Sequence, residues 1–446
     1  MCARTIVVYA RFPIRPSVRS DCMTATVPKR TLITMINALS SGVVPRRGLE
    51  YIAVGRKKET ETFVNDLDYT AEGGGAFRFI SGRFGNGKSF MTQMIRNYAM
   101  DKGFVVMDAD LAINRRLTGS KKEGLNTYKE LLRNMAYKAR PDGGALESLL
   151  QGWILDTKEK LGADANAESI EKSMRADVAE ISSLQNFQDF MRVIVCYMKD
   201  FLEEKDDITA LRWLKGELDL KKESRKDLGT NMVIDDSNWY DVIKLWSGIV
   251  KCLGFKGLVV FIDEGVVLYK LQNKVSRSNN YERLLTMFND IMQGKTKNLS
   301  IYVCGTPEFI EDPNRGLYSY EALRSRLVAG RYENGFDNYL GPIINLKPLT
   351  NEEIFVLLKT IKDLHEQRYE YESNITDDML ETYLKTVMAS VVSSTMLTPR
   401  EITRDLISLL DTLHQNSELQ FLDLVEGRVV NADANPDDEI IEDLEV

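Results

Sequence analysis

The chain has 446 residues, 43% apolar and 28% charged, which is enough for two or three domains with well-filled cores and ordinary for a water-soluble protein. Its net charge of −8 is unevenly spread: the end "NADANPDDEIIEDLEV" holds seven acidic residues and no basic one, leaving the remainder near neutral. No apolar run reaches the roughly 18 residues of a membrane span, the five cysteines show no CxxC pair or metal-ligand spacing, and two histidines are too few for histidine-based metal catalysis.

Residues 1–30 read as an irregular basic segment, with Arg4, Arg11, Arg15, Arg19, Lys29 and Arg30 against few acids and Met23 as a candidate start. "TIVVYA" is too short, and broken too soon by Arg11, to be a signal peptide, so a reducing cytoplasm is the expected location. A short helix is predicted over 31–42. The pattern then turns α/β: a strand at "AFRFIS" (76–81), an amphipathic helix over 88–100 and a strand at "FVVMDAD" (104–110). The stretch 125–250 is charge-rich and helical in period, with Trp153, Trp213, Trp239 and Trp246 spaced through it, and reads as a helical insertion. Strands follow at 258–262 and 299–304, with a last one near "PIINLKP" (342–348), and 350–415 is helical only. The expected organisation is a parallel sheet split into 31–124 and 251–348 around the insertion, a helical lid over 349–425 and an acidic tail over 426–446.

The strongest local signal is "GRFGNGKSF", Gly82, Arg83, Phe84, Gly85, Asn86, Gly87, Lys88, Ser89 and Phe90. It meets G-x-x-x-x-G-K-[ST] at every fixed position and lies between a predicted strand and a predicted helix. Glycines let the backbone curl so that N–H groups face phosphate oxygens, and the helix that follows adds its positive end. Lys88 is placed to reach the outer phosphates and the Ser89 hydroxyl to hold Mg²⁺.

"GLVVFIDEG" ends an apolar strand in two carboxylates, Asp263 and Glu264. Charges at the tip of a buried strand are costly unless something meets them. A nucleotide-bound Mg²⁺ would meet Asp263, and Glu264 would orient and deprotonate an attacking water; the alternative is a plain surface turn. Thr306 ends the next strand, as a γ-phosphate sensor or as a small residue starting a turn at Pro307. Arg324 and Arg326 suit neutralising a γ-phosphate across a subunit boundary, or form a solvated helix face. Arg400 in "LTPREIT" either touches the nucleotide from the lid or is an ordinary first-turn residue.

This order of parts resembles the AAA+ class of P-loop ATPases, in particular its origin-recognition and STAND-like branch. "VGRKKE" resembles the short box that precedes the phosphate loop and lies near the adenine, which implies nucleotide contacts at Gly55 and Arg56. The resemblance implies that Thr306 is sensor 1, Arg326 the finger and Arg400 sensor 2. More narrowly, "ALSSGVVPRRGLEYIAVGR", "FRFISGRFGNGKSF", "FVVMDADL" and "RPDGGALESLLQGWI" resemble the BrxD family of ATP-binding proteins of BREX phage-exclusion systems, over roughly 38 to 425. Many origin-recognition proteins carry a DNA-gripping winged helix at the end; few residues follow "LLDTLHQ" here, so that module is expected to be missing.

The expected function is an ATP- and Mg²⁺-dependent motor or switch in phage defence, assembled as a ring or partial ring and working with other BREX proteins, with no membrane role. Two alternatives stand beside it. One is an ATP-gated scaffold with negligible hydrolysis; the other is a DNA-remodelling or loader ATPase, whose DNA contact would weaken steeply with salt.

Overall fold

A computed structural model describes residues 27–218, 221–328, 338–390 and 398–432. The basic segment before residue 27 and the acidic stretch after 432 lie outside the described residues. The chain divides into two compact units, Glu61–Arg83 with Ile95–Leu346, and Met1–Thr60 with Phe84–Met94 and Lys347–Val446.

The first of these holds a five-stranded, all-parallel sheet in the order β2-β3-β4-β1-β5, with β1 at Gly75–Ser81, β2 at Val105–Asp110, β3 at Leu258–Asp263, β4 at Leu299–Gly305 and β5 at Ile343–Asn345. The strand expectations agree with these spans to within a few residues. Every residue of β4 is buried, as are the first five of β3, which is why both read as largely apolar runs, broken in β4 by Ser300 alone, rather than as alternating ones. Register sets Asp110 opposite Asp263 and Ser81 opposite Gly305, so the strands finish level along one edge.

The chain leaving β1 returns at β2 on one side of it, and the chain leaving β4 returns at β5 on the other. In a parallel sheet this reversal opens a crevice outside the carboxyl ends of the two adjacent strands. Between β2 and β3 run α4 (Glu123–Arg133), α5 (Leu146–Leu161), α6 (Ala167–Asp177), α7 (Phe187–Leu202), α8 (Thr209–Leu214), α9 (Lys221–Leu228) and α10 (Trp239–Cys252), with no strand among the described residues there. All four tryptophans are buried in this block. Phe190 packs edge-on to Trp246 with ring centres 5.0 Å apart, and the Trp239 indole donates to the Leu117 carbonyl at 3.0 Å. Burying each ring with its N–H satisfied is what lets so charge-rich a stretch form a core. Other helices of this unit are α2 (Lys57–Ala71) from Glu61 onward, α11 (Val266–Lys270), α12 (Lys274–Met292), α13 (Pro307–Glu311) and α14 (Glu321–Leu327).

In the second unit α1 (Lys29–Ser40) packs on α15 (Asn351–Tyr369) and α17 (Pro399–Gln415), while α16 (Asp377–Ser390) lies between α15 and α18 (Phe421–Ala432). Reciprocal capping boxes, Thr350 with Glu353 and Thr398 with Glu401, fix where α15 and α17 begin. No described helix is long and apolar enough to cross a membrane.

Candidate functional site

The glycine loop joins β1 to α3 (Lys88–Asp101). Gly82 leaves the sheet edge by donating its N–H to the Gly305 carbonyl of β4 at 3.1 Å. Gly85 and Gly87 stand at φ +83° and +86°, the left-handed region that only glycine enters without strain, and a Cβ on Gly85 would collide with the Thr398 side chain at the start of α17. Gly87 closes the loop by accepting the Met91 N–H at 2.9 Å, the first turn of α3. Ser89 is exposed in that turn and Phe90 is half-buried behind it. Arg83 and Phe84 are exposed, and the Lys88 ammonium lies 5.2 Å from the centre of the Phe84 ring.

The "VGRKKE" box meets this loop. Gly55, at φ +73°, has no room for a side chain beside the Glu353 carboxylate. Arg56 is 7% exposed, and its guanidinium reaches the Asn86 carbonyl at 3.0 Å, the Lys347 carbonyl at 2.6 Å and the Glu59 carboxylate at 3.2 Å. Arg400 is exposed in the first turn of α17, with its stem beside Gly42.

In the sheet unit, the carboxyl edge carries the acidic doublet. Asp263 is half-buried at the tip of β3, and its Oδ1 accepts the Glu264 N–H at 2.6 Å. Glu264 is exposed at φ +57°, an uncommon conformation for a residue with a side chain. Gly265 follows because its N–H bonds the Cys304 carbonyl at 2.8 Å and a Cβ there would sit 2.7 Å from that oxygen. "DEG" is therefore a built turn against β4. Thr306 caps α13, its hydroxyl accepting the Phe309 N–H at 3.4 Å; a hydroxyl that accepts still has a proton to donate. Of the two arginines on α14, Arg326 is held by the Asn289 side chain at 3.0 Å and the Ala322 carbonyl at 2.6 Å, while Arg324 is exposed with no side-chain partner among the described residues.

Two features were not read from the sequence. Asp110 stands in register with Asp263, and loss of water, then the Asp263 and Asp108 charges, raise its pKa above the usual carboxylate range. The "DAD" ending of β2 was the available signal, but nothing in it says which strand lies alongside. Thr398 against Gly85 was likewise invisible.

No trio of metal-ligating side chains occurs among the described residues. A nucleotide-bound Mg²⁺ does not require one: it keeps several waters and takes one or two protein oxygens beside the phosphates. Ser89 offers a hydroxyl in one unit and Asp263 a carboxylate in the other, and the left-handed Gly85 and Gly87 let the loop curl.

A parallel sheet whose first strand runs through such a loop into a helix is consistent with a P-loop nucleotide-binding fold. The sequence model of the family described as "BREX system ATP-binding protein BrxC/D" matches residues 27–428, and the chain belongs to that family. No curated protein matches the chain. Membership supports an ATP-binding role in BREX and association with other components of that system.

Proposed function

We propose that the protein hydrolyses ATP and uses the cycle as a motor or switch in BREX defence against phage, as an AAA+-type assembly of several copies. The observation that carries hydrolysis is Glu264: an exposed carboxylate at a sheet tip, kept in a backbone conformation costing about 1 kcal/mol. A scaffold that only binds nucleotide has no use for such a group.

In this reading the loop's N–H groups and Lys88 bind the phosphates, and Ser89 and Asp263 would hold Mg²⁺, which would offset phosphate charge. Glu264 orients a water and takes its proton as the water's oxygen attacks the γ-phosphorus; the bond from that phosphorus to the β–γ bridging oxygen breaks, leaving ADP and inorganic phosphate. Thr306 senses the γ-phosphate through its hydroxyl proton, and Arg400 approaches the nucleotide from α17. An arginine of α14 stabilises the charge that develops on the γ-phosphoryl group of a neighbouring copy.

The test is phosphate release by Glu264→Gln. Turnover is expected to fall by about a hundredfold or more while ATP affinity stays within about twofold, the size of a lost general base. Wild-type turnover in that variant would remove Glu264 from the chemistry. A wild-type protein that binds ATP without releasing phosphate would favour the gated scaffold.

A further inference from the structure

Arg56 was expected near the base of the nucleotide, and in the structure three of its five N–H groups bond to the protein. One terminal nitrogen donates to both the Asn86 and the Lys347 carbonyls, and the other to Glu59, itself only 5% exposed. Three acceptors fix the guanidinium plane, a placement that a lysine's single ammonium cannot reproduce.

We propose that Arg56 is a positioning residue that presets the phosphate loop from behind. The described residues contain no cis peptide, and in a planar trans peptide the C=O and the following N–H point in opposite directions. By holding the Asn86 carbonyl, Arg56 turns the Gly87 N–H away from itself, at the residue whose own carbonyl starts the first turn of α3. Gly87 at φ +86° is what allows the chain to make that turn. The nest of donors therefore stands formed before an anion arrives, and the ordering cost is met by folding rather than by binding. The Lys347 branch fixes the same guanidinium to the connection ahead of α15, within the same compact unit as Asn86.

This inference rests on the ATP-binding reading, and the experiment keeps the two apart. Arg56→Met alone would strand Glu59 as a buried charge, so the informative variant is Arg56→Met/Glu59→Gln, with Glu59→Gln and Arg56→Lys as companions. Each is melted to establish folding and then titrated with ATP and with inorganic triphosphate, both with Mg²⁺. Glu59→Gln is expected to bind both ligands like the wild type. The double variant should lose about ten- to a hundredfold for both ligands equally, the worth of one or two charge-assisted hydrogen bonds. Arg56→Lys should recover only part of that loss. ATP weakened with triphosphate unchanged would mean that Arg56 serves the base, and unchanged affinity for both would mean that it serves the fold; either overturns the proposal. A wild-type protein that binds no ATP would instead remove the reading beneath it.

Discussion

Glu264 and Gly85 lie at opposite extremes of what a left-handed backbone position tolerates. At Glu264, φ is +57° and the side chain is exposed, so nothing about packing demands glutamate there. Glu264→Gly should melt no lower than the wild type, and up to about 1 kcal/mol more stable, while turnover disappears. A marked loss of stability would show that the carboxylate supports the fold, against its assignment to chemistry. Gly85→Ala tests the reverse case. Its φ of +83° and the Thr398 side chain leave a methyl no space, so the loop must shift or α17 must give way. ATP affinity is expected to drop by about tenfold or more, because phosphate donors displaced by even a fraction of an ångström lose most of their hydrogen-bond energy. Titration with ATP checks this, and binding at the wild-type level would exclude Gly85 from the cradle.

At the scale of elements, the sheet was legible because parallel strands covered on both faces write themselves as runs such as "LVVFI". Pairing was not legible: Asp110 beside Asp263, or Arg56 on carbonyls 30 and 291 positions away, depends on strand order and on backbone acceptors that every residue carries. The same limit hid the chain's two histidines. His365 is fully buried on α15, within hydrogen-bond reach of Tyr371 at 2.9 Å and Asp411 at 3.1 Å, while His414 of α17 stacks against Tyr369 and Tyr371. A neutral ring donating from Nε2 to Asp411 and accepting at Nδ1 from Tyr371 satisfies both bonds. Burial lowers the His365 pKa more than Asp411 raises it, with His414 and Arg368 adding to the lowering. A folded pKa below the unfolded one, about 6.5, means that the unfolded chain takes up more protons, so stability is full above that value and declines as pH falls through it. The α15–α17 pair should therefore melt lower near pH 5.5 than near pH 7.5. His365→Gln should flatten that dependence while lowering stability at the higher pH. Melting curves at both pH values decide it, and an equal pH dependence in the variant would clear His365 of the effect.

For the whole molecule, the question is whether one chain suffices for turnover. Arg326 is already engaged with α12 through Asn289, whereas Arg324 projects from the same short helix with no side-chain partner among the described residues. Of the two, Arg324 has a guanidinium to spare for a second copy, and removing a trans arginine from a phosphoryl-transfer site costs about a thousandfold or more. Arg324→Ala should therefore be nearly inactive yet bind ATP normally, and Arg326→Ala should chiefly loosen α14. Chain mixing separates a trans role from a local one. Glu264→Gln keeps Arg324 but cannot activate water, while Arg324→Ala keeps Glu264 but lacks the donor. If the arginine acts on the neighbour's nucleotide, an equal mixture of these two inactive variants regains turnover, because some sites pair an intact Glu264 with an intact Arg324. Wild-type turnover per chain should rise with protein concentration for the same reason, as association completes more sites. A mixture no more active than its components, with wild-type turnover independent of concentration, would place any contribution of Arg324 within its own chain.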